Sequence, residues 1–304
     1  MPINRASITA LITAYCRAYH ATHDDPKIFD DALADLMFTP EEHIAFDKNL
    51  AETLALINPE RAARRPDQAT ALAWVVQTHN GPITLSRSRY TEDRLVELIE
   101  RGVRQYVILG AGLDTFAFRR SDLLERVQVF EVDHPATLAM KHERLAILGR
   151  PYPPQLHFVA VDFATEQLAD ALPAAGYDPH QLSCFSWLGV TYYLTRAAVM
   201  DTLRAVASIA PAGSSILFDY LDADAFVPER AARRVQVLQA IAARVGEPMQ
   251  TGFEPQTLAA ELQTVGFQLA EDLGPAEIEA RYFQGRTDEY HAFEHVHVAR
   301  AVVA

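Results

Sequence analysis

Tyr106-Val107-Ile108-Leu109-Gly110-Ala111-Gly112-Leu113-Asp114-Thr115 is the stretch from which the rest of the chain can be read. A continuous apolar run without polar alternation suits a strand buried on both faces of a sheet. The run leads straight into Gly-x-Gly, where missing side chains let the backbone turn sharply and let a ligand come close to it. A second strand, Gln128-Val129-Phe130-Glu131-Val132-Asp133, ends in acid about 20 residues later, the offset of a ribose-binding carboxylate in nucleotide-type folds. Together these features predict an adenosine-containing cofactor across the carboxyl ends of a parallel sheet. Glu131 and Asp133 are expected to take opposite sides of the strand, so that only one faces it. Thr115 stands where a dinucleotide fingerprint has its third glycine, so the loop is not shaped for pyrophosphate, and NAD and FAD are disfavoured.

Outward from this loop the pattern is one of short strands alternating with helices. Strands are expected at 105–109, 127–132, 156–161, 182–187 and 214–220, and helices at about 135–148, 165–174 and 195–210, the last with Thr195 as N-cap. Such alternation means an α/β fold with a doubly wound, mostly parallel sheet. Towards the end, 228–245 reads as a helical insertion and Gly266-Phe267-Gln268-Leu269-Ala270 as a strand. The strict alternation of 291–300 predicts a half-exposed, antiparallel strand. Before the sheet, residues 4–57 alternate helical patterns with breaks at Asp24-Asp25-Pro26 and Thr39-Pro40. Helices follow at about 70–79, ended by Asn80-Gly81-Pro82, and at 86–101. The expected organisation is a helical N-terminal cap over 1–82 and an α/β domain over 83–304, with a helical lid insertion at about 221–255.

A chain of 304 residues can bury a full core, and its formal net charge of -13 argues against nucleic-acid phosphate as a partner. No stretch is long and apolar enough to span a bilayer, and the N-terminus does not read as a secretory signal. Cys16 and Cys184 lie far apart in sequence and suggest no zinc site. The expectation is a cytoplasmic protein with no membrane or nucleic-acid partner. Of the 11 histidines, His291, His295 and His297 share one face of the alternating segment, but no acid-rich cluster accompanies them and no metal is expected. Nothing in the sequence fixes the oligomeric state.

A third acid closes a strand in Phe158-Val159-Ala160-Val161-Asp162-Phe163. An acid there can accept from an adenine amino group, and a ring can lie against the purine.

Several blocks make the chain resemble the leucine carboxyl methyltransferase family of class I S-adenosylmethionine-dependent enzymes, in particular its bacterial branch. They are Phe29-Asp30-Asp31, Ser86-Arg87-Ser88-Arg89-Tyr90, Val107 to Thr115, Phe130-Glu131-Val132-Asp133-His134-Pro135, Val159 to Phe163, Trp187-Leu188-Gly189-Val190-Thr191-Tyr192-Tyr193-Leu194, and Gly266-Phe267 with Gly274-Pro275-Ala276-Glu277. The resemblance covers nearly the whole chain. It implies a Rossmann-like class I methyltransferase sheet with S-adenosyl-L-methionine as cofactor. It implies that Arg87 pairs with the methionine carboxylate, that Gly110, Ala111 and Gly112 pass under the methionine part, that Asp133 holds the ribose, and that Asp162 and Phe163 meet the adenine. Trp187 and Leu188 would edge the same site. Many relatives have Trp-Glu-Gly-Val where this chain has Trp187-Leu188-Gly189-Val190. A glutamate there could orient the cofactor's amino group, so a backbone carbonyl or another acid, such as Asp114, is expected to take over.

The resulting expectation is an O-methyltransferase acting on a carboxylate of a small metabolite or peptide. A carboxylate is already ionised, so positioning suffices, whereas a phenol would benefit from a base, and no His–Asp pair stands out as one. Phenol or hydroxyl O-methylation is the alternative, and an inactive methyltransferase-like binding protein is a further one. Tyr192 and Tyr220 follow strands at their carboxyl ends and are candidates for positioning the acceptor. Tyr15, Tyr19, His20, Tyr193, Arg281 and Tyr282 are candidates for lining its pocket.

Overall fold

The computed structural model describes residues 7–162 and 166–304. An all-helical block comes first: α1 (Ile8–His23), α2 (Ala32–Asp35), α3 (Pro40–Ile57), α4 (Pro59–Ala63), α5 (Gln68–Thr78) and α6 (Asn80–Glu100). Local chemistry sets these boundaries. The Ser7 hydroxyl accepts from the Ala10 N–H at the start of α1. At α3, Thr39 and Glu42 form a reciprocal capping box ahead of Pro40.

The sheet then alternates with helices: β1 (Gln105–Leu109), α7 (Phe116–Arg119), α8 (Ser121–Leu124), β2 (Gln128–Asp133), α9 (Pro135–Leu148), β3 (Leu156–Ala160), α10 (Leu168–Ala174), β4 (Ser183–Trp187), α11 (Arg196–Ile209) and β5 (Ser215–Leu221). After β5 come α12 (Arg233–Arg244), α13 (Pro255–Gln263), β6 (Phe267–Leu273), α14 (Pro275–Ile278) and β7 (Val296–Val303). The strand order is β3-β2-β1-β4-β5-β7-β6. β1 to β5 pair in parallel, while β7 lies between β5 and β6 and runs antiparallel to both. This is the Rossmann-like sheet, mostly parallel with the last strand reversed, that the resemblance implies.

The sheet is buried on both faces. Val107, Phe130, Phe185 and Ile216 pack on one side, and Tyr106, Ile108, Val129 and Leu217 on the other. The cap adds a third cluster in which Tyr15, Phe38 and Leu72 meet Leu113 of the glycine loop and Leu145 of α9. The cap is therefore packed onto the same edge of the sheet that carries the loop.

Two expectations about boundaries need correction. Asn80-Gly81-Pro82 does not simply end a helix, because α6 begins at Asn80, with Gly81 and Pro82 in its first turn. A β-carbon on Gly81 would lie 2.4 Å from the Val76 carbonyl oxygen, so glycine is what allows α6 to turn back hard against α5. At the other end, β7 starts at Val296 rather than 291, because His295 adopts a left-handed backbone (φ 65°) that an extended strand cannot contain. No helix among the described residues is long and apolar enough to cross a membrane.

Candidate active site

The carboxyl ends of β1 and β2 form one half of the site. Gly110 and Gly112 have φ of 72° and 53°, values that side chains disfavour. The Gly110 and Ala111 N–H groups donate to the Val132 carbonyl, which ties the loop to the neighbouring strand. Asp133 closes β2, and its carboxylate accepts from Gly112 N–H at 2.6 Å and His134 N–H at 2.7 Å. Burial raises its carboxyl above the ordinary range, against the pull of those two N–H groups.

The expectation that Glu131 and Asp133 take opposite sides needs correction, because residues two positions apart in a strand share a face of β2. Depth separates their roles. Glu131 is fully buried in an ion pair with Lys141, and Lys141 also donates to the Asp114 carbonyl at 2.6 Å. On the other side Arg17, held by Asp31 at 2.8 Å, donates to the Leu113 carbonyl at 2.6 Å. One cation from α9 and one from α1 thus fix adjacent loop carbonyls. The Asp114 carboxylate accepts from Phe116 N–H at 2.7 Å and turns the chain into α7. Asp162 follows β3, and its N–H donates to Glu166. Phe163 lies outside the described residues.

The carboxyl ends of β4 and β5 form the other half. Trp187 is the buried last residue of β4, and Leu188 follows it half-buried. Arg87 reaches in from α6, 6 % exposed, and its Nη1 donates to the Tyr192 hydroxyl at 3.0 Å and to Asp219 Oδ2 at 2.8 Å. The other Asp219 oxygen accepts from Gly189 N–H at 2.6 Å. Burial works against the charge on Arg87, but Asp219 and Tyr192 outweigh it and hold the guanidinium above its ordinary pKa. Burial also raises Tyr192 well above its ordinary value and Tyr193 to about 12, so both stay protonated at neutral pH.

The remaining candidates divide. Tyr193 lies edge-on against Tyr192, ring centroids 4.8 Å apart, but Tyr220 points to the opposite face of β5, donating to Asp272 at 2.7 Å and stacking on His297. Tyr15 donates to Asp47 and stacks on Phe46, and Tyr19 stacks on His23. His20 is fully buried, with Nδ1 on Asp24 and Nε2 accepting from Ile28 N–H. Arg281 pairs with Glu271, and Tyr282 packs against the core, both on a π-helical turn, Glu279–Phe283, beside β6. The structure therefore gathers Arg87, Tyr192 and Tyr193 at one half of the site. The polar ends of Tyr15, His20, Tyr220 and Arg281 are engaged in contacts of their own.

The side of each loop glycine on which a β-carbon would project is filled by the chain itself. A β-carbon on Gly110 would lie 2.8 Å from Val190, and one on Gly112 would lie 3.1 Å from Ala10 of α1. The start of α1 is in turn joined to the segment after α12, where Ser7 and Thr9 donate to Glu247. Among the described residues no group of three or more His, Cys, Asp and Glu side chains converges as a metal site.

The sequence pattern of the family described as leucine carboxyl methyltransferase matches residues 10–207. The chain belongs to that family. It is 40% identical over 300 residues, 98% of each chain, to YktD of Bacillus subtilis, a protein named by inference as an S-adenosyl-L-methionine-dependent methyltransferase. Among solved structures, a DUF574 family protein from Streptomyces avermitilis aligns over 98% of both chains with a TM-score of 0.59 and 17% identity. A Thermobifida fusca protein titled a methyltransferase by inference aligns over 78% of this chain and 87% of its own, with a TM-score of 0.52 and 18% identity. At such identities these two bear on the fold alone. Family membership makes the chain a methyltransferase.

Asp219, Arg17, Lys141 and Glu247 hold the elements around the candidate site, and the sequence does not single them out. Only Asp219 leaves a sequence signal, as a lone acid inside the apolar strand Ser215-Ile216-Leu217-Phe218-Asp219-Tyr220-Leu221.

Proposed function

We propose that this S-adenosylmethionine-dependent methyltransferase methylates a carboxylate oxygen of a small metabolite or peptide. The sulfonium of the cofactor supplies the activated methyl group. The residues at the sheet edge fit that cofactor. A buried guanidinium at the end of β4 matches a carboxylate, glycines with left-handed backbone allow close approach, and an acid ends β2 where ribose hydroxyls can donate to it. In this reading Arg87 takes the methionine carboxylate, Gly110 to Gly112 pass beneath the methionine chain, Asp133 meets the ribose, and Asp162 with Phe163 meets the adenine. Ala10 of α1 packs against Gly112, and in this account α1 lifts to admit the cofactor and then covers it. That step keeps water from the transfer. The cap over 1–82 and the insertion at about 221–255 are the lid in this account.

The carboxylate assignment rests on the groups around Arg87. They are Tyr192, Tyr193 and Asp219, two phenols held protonated and a carboxylate already paired. Among the described residues, His43 pairs with Asp35 at the half-exposed start of α3, and the other His–Asp pairs have their ring nitrogens engaged in contacts of their own. His20 accepts from Ile28 N–H, His295 from Ala232 N–H, and His297 lies between Asp222 and Asp272. With no histidine base placed beside Arg87 among the described residues, the arrangement suits an acceptor that is already ionised, brought to roughly 3–3.5 Å from the methyl carbon. The test is transfer of label from methyl-labelled S-adenosylmethionine to a panel of carboxylates and phenols. The expected product is a methyl ester, whose label is released by mild alkali. An alkali-stable product would move the assignment to phenol methylation.

A further inference from the structure

We infer that Asp219 is the positioning residue that aims Arg87 at the cofactor's carboxylate, an inference that rests on the reading of Arg87 given above. Asp219 is fully buried in β5, yet it joins three separate parts of the chain. Its Oδ2 accepts from Arg87 Nη1 of α6 at 2.8 Å. Its Oδ1 accepts from Gly189 N–H after β4 at 2.6 Å, and its backbone carbonyl accepts from the Thr191 hydroxyl at 2.6 Å. The Tyr192 hydroxyl takes a second bond from the same Nη1 at 3.0 Å.

The consequence is directional. An arginine side chain carries many rotamers, and an unfixed guanidinium can donate from any edge. Here both of these hydrogen bonds leave from Nη1, and Nη2 is turned towards Gly189. Gly189 has φ of 72° and no β-carbon, and any β-carbon there would lie 2.5 Å from Nη2. The fork is thus clamped on one nitrogen by a charge-assisted bond and shaped on its flank by the glycine. One anion already balances the guanidinium before the ligand arrives, so the site need not hold a bare buried cation. Leu188, which cannot offer an acid itself, sits immediately before the residue whose N–H is tied to that carboxylate. Asp219 thereby places a fixed negative charge beside the turn that follows Leu188.

The experiment is a titration calorimetry matrix of two ligands against five proteins. The ligands are S-adenosylhomocysteine, which has the amino-acid carboxylate, and 5′-deoxy-5′-methylthioadenosine, which lacks it. The proteins are the full chain, Arg87→Gln, Asp219→Asn, Asp219→Glu and the double variant of Arg87→Gln with Asp219→Asn, with melting temperatures recorded for each. Asparagine keeps an acceptor for Gly189 N–H and presents a donor to Nη1, so it should release the guanidinium selectively. The expected result is an affinity for S-adenosylhomocysteine lowered about 10- to 100-fold in Asp219→Asn, with methylthioadenosine binding unchanged. Asp219→Asn should cause no further loss in the Arg87→Gln background. Asp219→Glu, which keeps the charge, should retain more affinity than Asp219→Asn. Equal weakening of both ligands would make Asp219 a purely structural residue and overturn the inference. Unchanged S-adenosylhomocysteine binding in Asp219→Asn, with loss in Arg87→Gln, would overturn the inference and leave the reading of Arg87 standing. Unchanged binding in Arg87→Gln would remove that reading and the inference with it.

Discussion

Gly189 lies against the guanidinium of Arg87 so closely that a β-carbon would sit 2.5 Å from Nη2 and 2.9 Å from Cζ. This contact joins α6 to the half of the site formed by the carboxyl ends of β4 and β5. Gly189→Ala should destabilise the fold by about 1–3 kcal/mol through overpacking, with a further cost from its left-handed backbone. Urea denaturation measures the first effect. S-adenosylhomocysteine affinity should fall with it, because the displaced guanidinium no longer keeps its place. A Gly189→Ala protein with native stability and affinity would mean that the close packing is not needed.

Asp133 accepts from two backbone N–H groups, Gly112 and His134, and so ties the glycine loop to the start of α9. Asp133→Asn turns one acceptor into a donor that faces an N–H. The expected cost is about 1–3 kcal/mol of stability together with weaker cofactor binding. Retention of full affinity would argue against a ribose partner at this position.

Glu247 joins the segment after α12 to Ser7 and Thr9 at the beginning of α1. If α1 must lift from Gly112 for the cofactor to enter, Glu247→Ala should speed association of S-adenosylhomocysteine in stopped-flow fluorescence. An unchanged association rate would show that opening of this latch does not limit entry.

His79 is buried between α5 and α6, and its Nε2 has no hydrogen-bond partner. Burial, with Arg234 nearby, lowers its pKa from 6.5 to about 4. The unfolded chain therefore binds more protons than the folded one between those values, and stability falls as pH drops from 6.5 towards 4. The loss amounts to at most about 3 kcal/mol for this group. Urea midpoints measured across that range should decline in the parent protein, and the slope should flatten in His79→Gln. An identical slope in both would assign the acid sensitivity to other groups.

The regular part of the fold was legible in sequence because each element carried its own period. Strand 105–109 and helix 135–148 appear with the expected bounds, since an unbroken apolar run and a proline-led helix are local signals. The glycine loop and Asp133 were legible for the same reason. What escaped was tertiary. Nothing near Asp219 in the chain announces Arg87, because the pair forms only when α6 packs against β4 and β5. Arg17 and Lys141 likewise read as ordinary helix residues until the fold brings both to the carbonyls of Leu113 and Asp114. The start of α6 was hidden because Gly81 and Pro82 are turn residues by composition, and only the close approach of Val76 explains their use inside a helix.

The most direct test of the cofactor site is a crystal structure of the protein grown with S-adenosylhomocysteine. The account predicts the homocysteine carboxylate on Arg87, the ribose on Asp133, and α1 shifted away from Gly112. A ligand bound away from Arg87 and Asp133, or one that leaves Ala10 seated on Gly112, would contradict it.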